Sequence, residues 1–247
     1  MTRRLHITLN RALRAAWLYE ALRLSAEGLP TADAITKLEE MLARDVSGKE
    51  SARKSLRYLR QVWLEPREEL TYLRDNGISL YRRSPSEDTA RTLSFFMLLA
   101  TYPFFREVAE VCGKLHRLQG SVKAEQIKRK IAGYYGEREP VTRSTRYAIS
   151  LLADLGVLEG QSVRGIYKPG KESRMDAEMA AFALAALMDS LSVEHGISRS
   201  RLEQQPCLFG FDAHQMVTLA LRDSRFSISR ESLNNEIVTL NEGPRKN

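Results

Sequence analysis

The sequence predicts a mainly α fold: a helical bundle with two helix-turn-helix-like modules, the second winged by a short β-hairpin. Three observations lead there. Apolar residues recur at spacings of three and four along most of the 247 residues. Glycine and proline punctuate that periodicity at Gly28-Leu-Pro30, Pro66, Gly120, Gly136 and Gly156. A strand–turn–strand pattern, Val157–Glu159 then Val163–Tyr167 around Gly160-Gln-Ser162, directly follows a pair of predicted helices.

The elements follow in order. Leu13, Trp17, Ala21 and Leu24 mark a first helix that ends at Gly28-Leu-Pro30. Thr31 is placed to cap the next, whose apolar face is Ile35, Leu38, Met41 and Leu42. Ser47-Gly-Lys-Glu50 has the S-x-x-E form of a capping box, opening a helix with Ala52, Leu56, Leu59 and Trp63 on one face. Pro66 stops it. A further helix runs from Glu68 to about Asp75 and stops at Asn76-Gly77. The polar stretch Arg82–Asp88 reads as a linker. Two helices follow, about Thr89–Ala100 and Pro103–Leu118. Ala124, Ile127, Ile131 and Tyr135 mark another. After a turn over Gly136–Val141, Thr142 caps a helix that buries Ala148, Ile149, Leu152 and Leu155. Asp176–Leu191 is apolar almost all round and predicts a central buried helix. Ser198–Gln205 and Asp212–Arg222 read as helices, Arg225–Ser229 and Glu236–Leu240 as short strands. No repeat at a fixed period stands out. The organisation expected is therefore an N-terminal module over 1–80, a linker and apolar core helix over 81–103, a winged-helix-like module over 104–172, and a C-terminal helical segment with short strands over 173–247.

Composition narrows function. The chain is 43% apolar and 28% charged, with 38 basic and 31 acidic side chains and a net charge of +7. That leans toward an anionic partner. The charge is uneven: residues 1–60 carry net +5, 61–112 net −2, 113–174 net +7 and 175–247 net −3. Two anion-facing modules on a neutral scaffold would look like this. Cys112 and Cys207 form no CxxC or Cys/His cluster, so neither a zinc module nor a disulfide framework is expected, and a reducing, cytoplasmic setting fits. The apolar run Leu93–Phe105 is short and contains Pro103, which suits a core helix and not a membrane span. Four scattered histidines, His6, His116, His195 and His214, make no metal motif. No phosphate-binding loop, nucleophile elbow or nuclease signature is present. We expect no enzyme activity, no catalytic residues, no metal and no cofactor.

Two basic constellations are candidates for binding double-stranded DNA. The first is the predicted winged helix-turn-helix, in which the second helix enters the major groove. Its N-terminal residues are Thr142, Arg143, Ser144, Thr145, Arg146 and Tyr147, side chains suited to phosphates and base edges. Arg164 and Lys168 lie on the hairpin, and Lys123, Lys128, Arg129 and Lys130 on the preceding helix. The second is a stripe of Lys49, Arg53, Arg57 and Arg60, widened by Lys54, with Glu50 drawn away into the capping box. Each also has a plain reading: the winged helix as a protein-contact surface, the stripe as a face paired with the acidic helices of 61–75.

The segments SARKSLRYLRQVW (51–63), TLSFFMLLATYPFFREVAEV (92–111) and TRSTRYAISLLADLGVLEG (142–160) together resemble the BrxA family of BREX phage-defence systems. The closing LFGFDAHQMVTLAL and FSISRESLNNEIVTL are compatible with it. The resemblance is one of layout and local flavour over about two thirds of the chain. It implies a cytoplasmic bacterial protein that binds double-stranded DNA without chemistry of its own, beside other BREX-type defence proteins such as a DNA methyltransferase and ATPases. It carries over no binding residues, because no short motif fixes that face. A protein–protein adaptor in the same complex and a sequence-specific transcriptional regulator are the alternative functions, and no membrane partner is expected.

Overall fold

The computed structural model describes residues 7–193, 195–232 and 235–241. Helix α1 (Ala15–Ala26) buries Trp17, Leu18, Ala21, Leu22 and Leu24. Helix α2 (Thr31–Asp45) takes Thr31 as its first helical residue, with Pro30 in the cap position, so Thr31 is not the cap. Helix α3 (Lys49–Leu59) has Gly48 before it at φ +96°, a left-handed backbone suited to glycine. Ser47 therefore does not cap it, and the expected capping box is absent. The helix continues as one wide π turn over Arg60–Leu64, closed by Glu65 N–H donating to the Arg60 carbonyl at 2.7 Å. That turn seats Trp63 in the core, its Nε1 3.3 Å from Ser94 Oγ.

After a 3₁₀ turn at Glu68–Leu70, α4 (Thr71–Arg83) passes straight through Asn76-Gly77. A Cβ at Gly77 would lie 3.0 Å from the Trp63 ring and 3.2 Å from Phe182. Gly77 is thus a close-packing residue and not a stop. Arg82 and Arg83 are helical, which shrinks the expected linker to Ser84–Ser86. Ser86 Oγ accepts from Thr89 N–H at 3.1 Å and caps α5 (Glu87–Thr101).

Helix α6 (Pro103–Gln119) ends at Gly120, φ +74°. Strand β1 (Val122–Lys123), helices α7 (Ala124–Tyr135) and α8 (Glu139–Asp154), and strands β2 (Leu158–Gly160) and β3 (Ile166–Pro169) follow. The strands form an antiparallel sheet in the order β1-β3-β2, with Glu159 opposite Lys168. This is the helical bundle with a β-hairpin wing that the sequence predicts.

Helix α9 (Ala177–Ser190) is capped by Asp176 and buries every residue from Ala180 to Met188. It packs on α4, α5 and α11. The C-terminal segment is more than helices with strands. Strand β4 (Ile197–Ser198), short helix α10 (Arg199–Glu203), a 3₁₀ turn (Pro206–Leu208), α11 (Ala213–Ala220), β5 (Phe226–Ser232) and β6 (Asn235–Leu240) repeat the order of the first unit. Their sheet order, β4-β6-β5, matches too. The chain thus holds two winged-helix units, α6–β3 and α9–β6, a repeat of topology without a repeat of sequence.

The units are fused. A Cβ at Gly113 of α6 would fall 1.8 Å from the Pro206 carbonyl oxygen, so only glycine permits that approach. Phe211 lies 5.1 and 5.2 Å from the rings of Phe95 and Phe96, which places all three in the core. The buried apolar side chains form one connected cluster from Leu9 to Val238. Among the described residues no helix is long and apolar enough to cross a membrane.

Candidate nucleic-acid interface

Helix α8 begins at Glu139, with Pro140 in its first turn, three residues before the expected cap at Thr142. Ser144 and Thr145 stand one turn before Ala148 and Ile149, on the same inward face. Ser144 and Thr145 are fully buried, and the Thr145 hydroxyl donates to the Val141 carbonyl at 2.8 Å. Neither reaches a ligand, which removes both from the candidate binding residues. The solvent face instead carries Thr142, Arg143, Arg146, Tyr147 and, one turn on, Ser150. Arg146 lies over the Tyr147 ring, 5.4 Å from its centroid. Arg143 reaches back to Glu139 at 3.3 Å.

The wing is pinned to α7 at its turn. Ala124 N–H, at the start of α7, donates to the Gly165 carbonyl at 2.8 Å. Lys168 pairs with Glu159 across the hairpin at 3.4 Å. The wing tip presents Arg164 and an exposed Val163, which charge-based reading passes over. Lys128 pairs with Glu125 at 2.7 Å. Lys123, Arg129, Lys130, Arg146 and Arg164 are exposed and form no ion pair among the described residues. The unit spanning 103–169 carries 12 basic and 7 acidic side chains.

The N-terminal stripe is more neutral than its sequence suggests. Glu50 is free of any capping box and accepts from Arg53 at 3.1 Å and Lys54 at 3.2 Å. Arg53, then Lys54, holds the Glu50 carboxyl below its ordinary range. Arg60 is bound by Glu65 at 2.5 Å. Arg57 leans over the Tyr58 ring at 5.7 Å, and Lys49 is exposed without an acid partner. Of five cations, two remain available to an outside anion.

The second winged unit is acidic and pairs part of its charge internally, while Arg201 and Arg222 are exposed and form no ion pair among the described residues. Residues 177–240 carry 5 basic and 8 acidic side chains. Arg199 binds Glu203 of α10 at 2.9 Å, Glu236 of the wing at 3.3 Å and Thr218 of α11 at 2.8 Å. Glu203, then Glu236, holds its guanidinium above the usual range. His214 sits 3.1 Å from Glu203, and Arg230 3.5 Å from Glu236. This network bridges the helix-turn-helix and the wing.

Among the described residues no group of His, Cys, Asp and Glu could hold a metal ion. His6 lies outside the described residues. Burial pushes the Cys112 and Cys207 thiols up to about 12, so both are protonated at neutral pH. A cleft of about 440 Å³ beside α1 is lined by Tyr19, Glu20, Tyr81, Glu87 and Asp154, the wrong sign for a phosphate. No family model, no curated protein and no solved structure matches the chain.

Proposed function

We propose that the protein binds double-stranded DNA without catalysis, through the exposed face of α8 and the first wing. The observation that carries this reading is the set of unpaired cations, Lys123, Arg129, Lys130, Arg146 and Arg164, on one winged unit of net +5. Such a unit presents its second helix to the major groove and its wing to the backbone. Phosphate contacts dominate, because Arg and Lys outnumber side chains that read base edges. Lys49 and Arg57 of α3 add a weaker second contact. The setting, a BREX-like phage-defence complex, rests on the resemblance alone. The acidic second unit supports a protein-facing role for that half of the chain, as in the adaptor reading.

Fluorescence anisotropy of a labelled random duplex of about 30 base pairs, titrated at several salt concentrations, tests the reading. We expect micromolar or tighter binding, little sequence preference and a slope of several ions. Absence of binding at low salt overturns it. A preference for one sequence of three decades or more replaces it with a regulator. Capture from the native host of a methyltransferase or ATPase together with the chain tests the defence setting.

A further inference from the structure

We propose that strand β5 is a homodimerisation edge, pairing antiparallel with β5 of a second copy across a two-fold axis centred on Ile228. The argument begins with backbone groups. In the β5–β6 ladder Asn241 N–H donates to the Arg225 carbonyl, which fixes the alternation. Ser227 and Ser229 therefore bond to β6, and the peptide groups of Ile228 and Arg230 point outward. Strand β5 is the outer strand of its sheet, and Ser227, Ile228, Ser229 and Arg230 are all exposed.

Proteins ordinarily blunt such an edge by shortness, a proline, charged side chains or a bulge, and β5 has the last two only at its far end, at Arg230 and the register shift after it. The other sheet edges here follow the rule: β1 and β4 have two residues each and β2 has three. Strand β5 has seven, with no proline and no lysine. It also carries Ile228, 46% exposed, on the face where Phe226 and Val238 are buried.

The occupant follows from the sequence of the edge. Phe-Ser-Ile-Ser-Arg is close to symmetric about Ile228. Pairing on that centre sets Ile228 against Ile228 of the second copy and covers both exposed side chains. Ile228 N–H donates to the Ile228 carbonyl of the second copy and receives the same bond in return. Arg230 N–H reaches the Phe226 carbonyl of the second copy. The Arg230 side chain, 77% exposed, then faces a phenyl ring and not a like charge. A register centred on Arg230 would oppose two arginines. The register shift between Arg230 and Ser232 ends the pairable stretch. Five residues of strand bury little area, so the dimer is weak and concentration-dependent. The inference does not require the DNA reading.

Sedimentation equilibrium of the full chain from low to several hundred micromolar tests it. We expect reversible dimerisation, lost in Ile228→Lys with the circular dichroism unchanged. A second test fixes the register. The double variant Ser227→Cys, Ser229→Cys should form a disulfide-linked dimer under mild oxidation, because 227 and 229 lie directly opposite across the proposed axis, and neither single variant should. The native cysteines are buried and do not interfere. A wild-type chain monomeric at every concentration overturns the proposal, as does a dimer that survives Ile228→Lys or cross-links equally well through either single cysteine.

Discussion

The two winged-helix units share an order of elements and a strand order, yet they treat charge in opposite ways. In the first, Lys123, Arg129, Lys130, Arg146 and Arg164 form no ion pair among the described residues, while Arg143 and Lys168 are paired within the unit. In the second, Arg199 ties helix, turn and wing together, and the unit as a whole is acidic. One backbone plan thus carries a basic unit and an acidic one, with more exposed cations outside any ion pair in the first, counted among the described residues. The fold by itself says little about binding; the pairing of a few side chains decides it.

The comparison breaks most completely if the units come apart. Gly113→Ala forces a Cβ onto the Pro206 carbonyl, which is backbone and cannot swing aside. We expect a loss of about 3 kcal/mol or more in calorimetric unfolding. An unchanged Tm would mean that the units are not locked together there.

The next effect sharpens the contrast between the surfaces. Replacing Lys123, Arg146 and Arg164 together with alanine should lower the salt slope by about 3. Affinity at moderate salt should fall about 100-fold, roughly 2.7 kcal/mol. Arg199→Met should leave DNA affinity alone and cost about 1 kcal/mol of stability, since it removes the bonds to Glu203, Glu236 and Thr218 while His214 and Arg230 still meet the two carboxylates. Loss of DNA binding in Arg199→Met would erase the distinction between the units.

A buried carboxyl gives a pH signature to the second unit. Asp189, near the end of α9, accepts from the Tyr72 hydroxyl at 2.6 Å, and burial raises its pKa to about 6. The folded state therefore holds a proton that the unfolded state releases near pH 4. Between those values the folded chain binds more protons, so stability falls as pH rises from about 4 to 6, by about 3 kcal/mol. Asp189→Asn should flatten that part of the pH–stability curve, and a curve of unchanged slope would show that another group is responsible. The smallest effect belongs to α3. Arg57→Ala should lower the salt slope by about 1, while Arg53→Ala, whose guanidinium is already occupied by Glu50, should change it by less. Equal effects would restore the whole stripe to the interface.

How much of this was legible in the residues depends on range. Helices α5 and α9 were readable because their apolar runs are local and long. The start of α8 was misread at Thr142, although Glu139-Pro140 is itself a helix-opening signal. Ser144 and Thr145 were assigned to binding from their place near the helix start, although standing four before Ala148 and Ile149 puts them on the buried face. Gly77 was misread because a stop glycine and a packing glycine look alike until Trp63 and Phe182 are placed. The second winged unit escaped because its diagnostic pairing joins Ile197-Ser198 to Ile237-Val238, about forty residues on, and a two-residue strand has no pattern of its own. The neutral stripe on α3 was hidden for a simpler reason: whether Glu50 caps a helix or meets Arg53 depends on the backbone at Gly48.

Helix α1 is opened by a residue far along the chain. Ala15 N–H donates to the Asp154 carboxylate at 2.5 Å, and the cap position beside it, Arg14, contributes no side-chain bond. On the ribosome, the first helix is finished only after α8 has emerged, and α4 and α5 wait longer still for α9 to cover them. Phe95 and Phe96 stay uncovered until Phe211 is made. Translation therefore delivers the core in reverse order of need, and the nascent chain must be shielded through most of its synthesis.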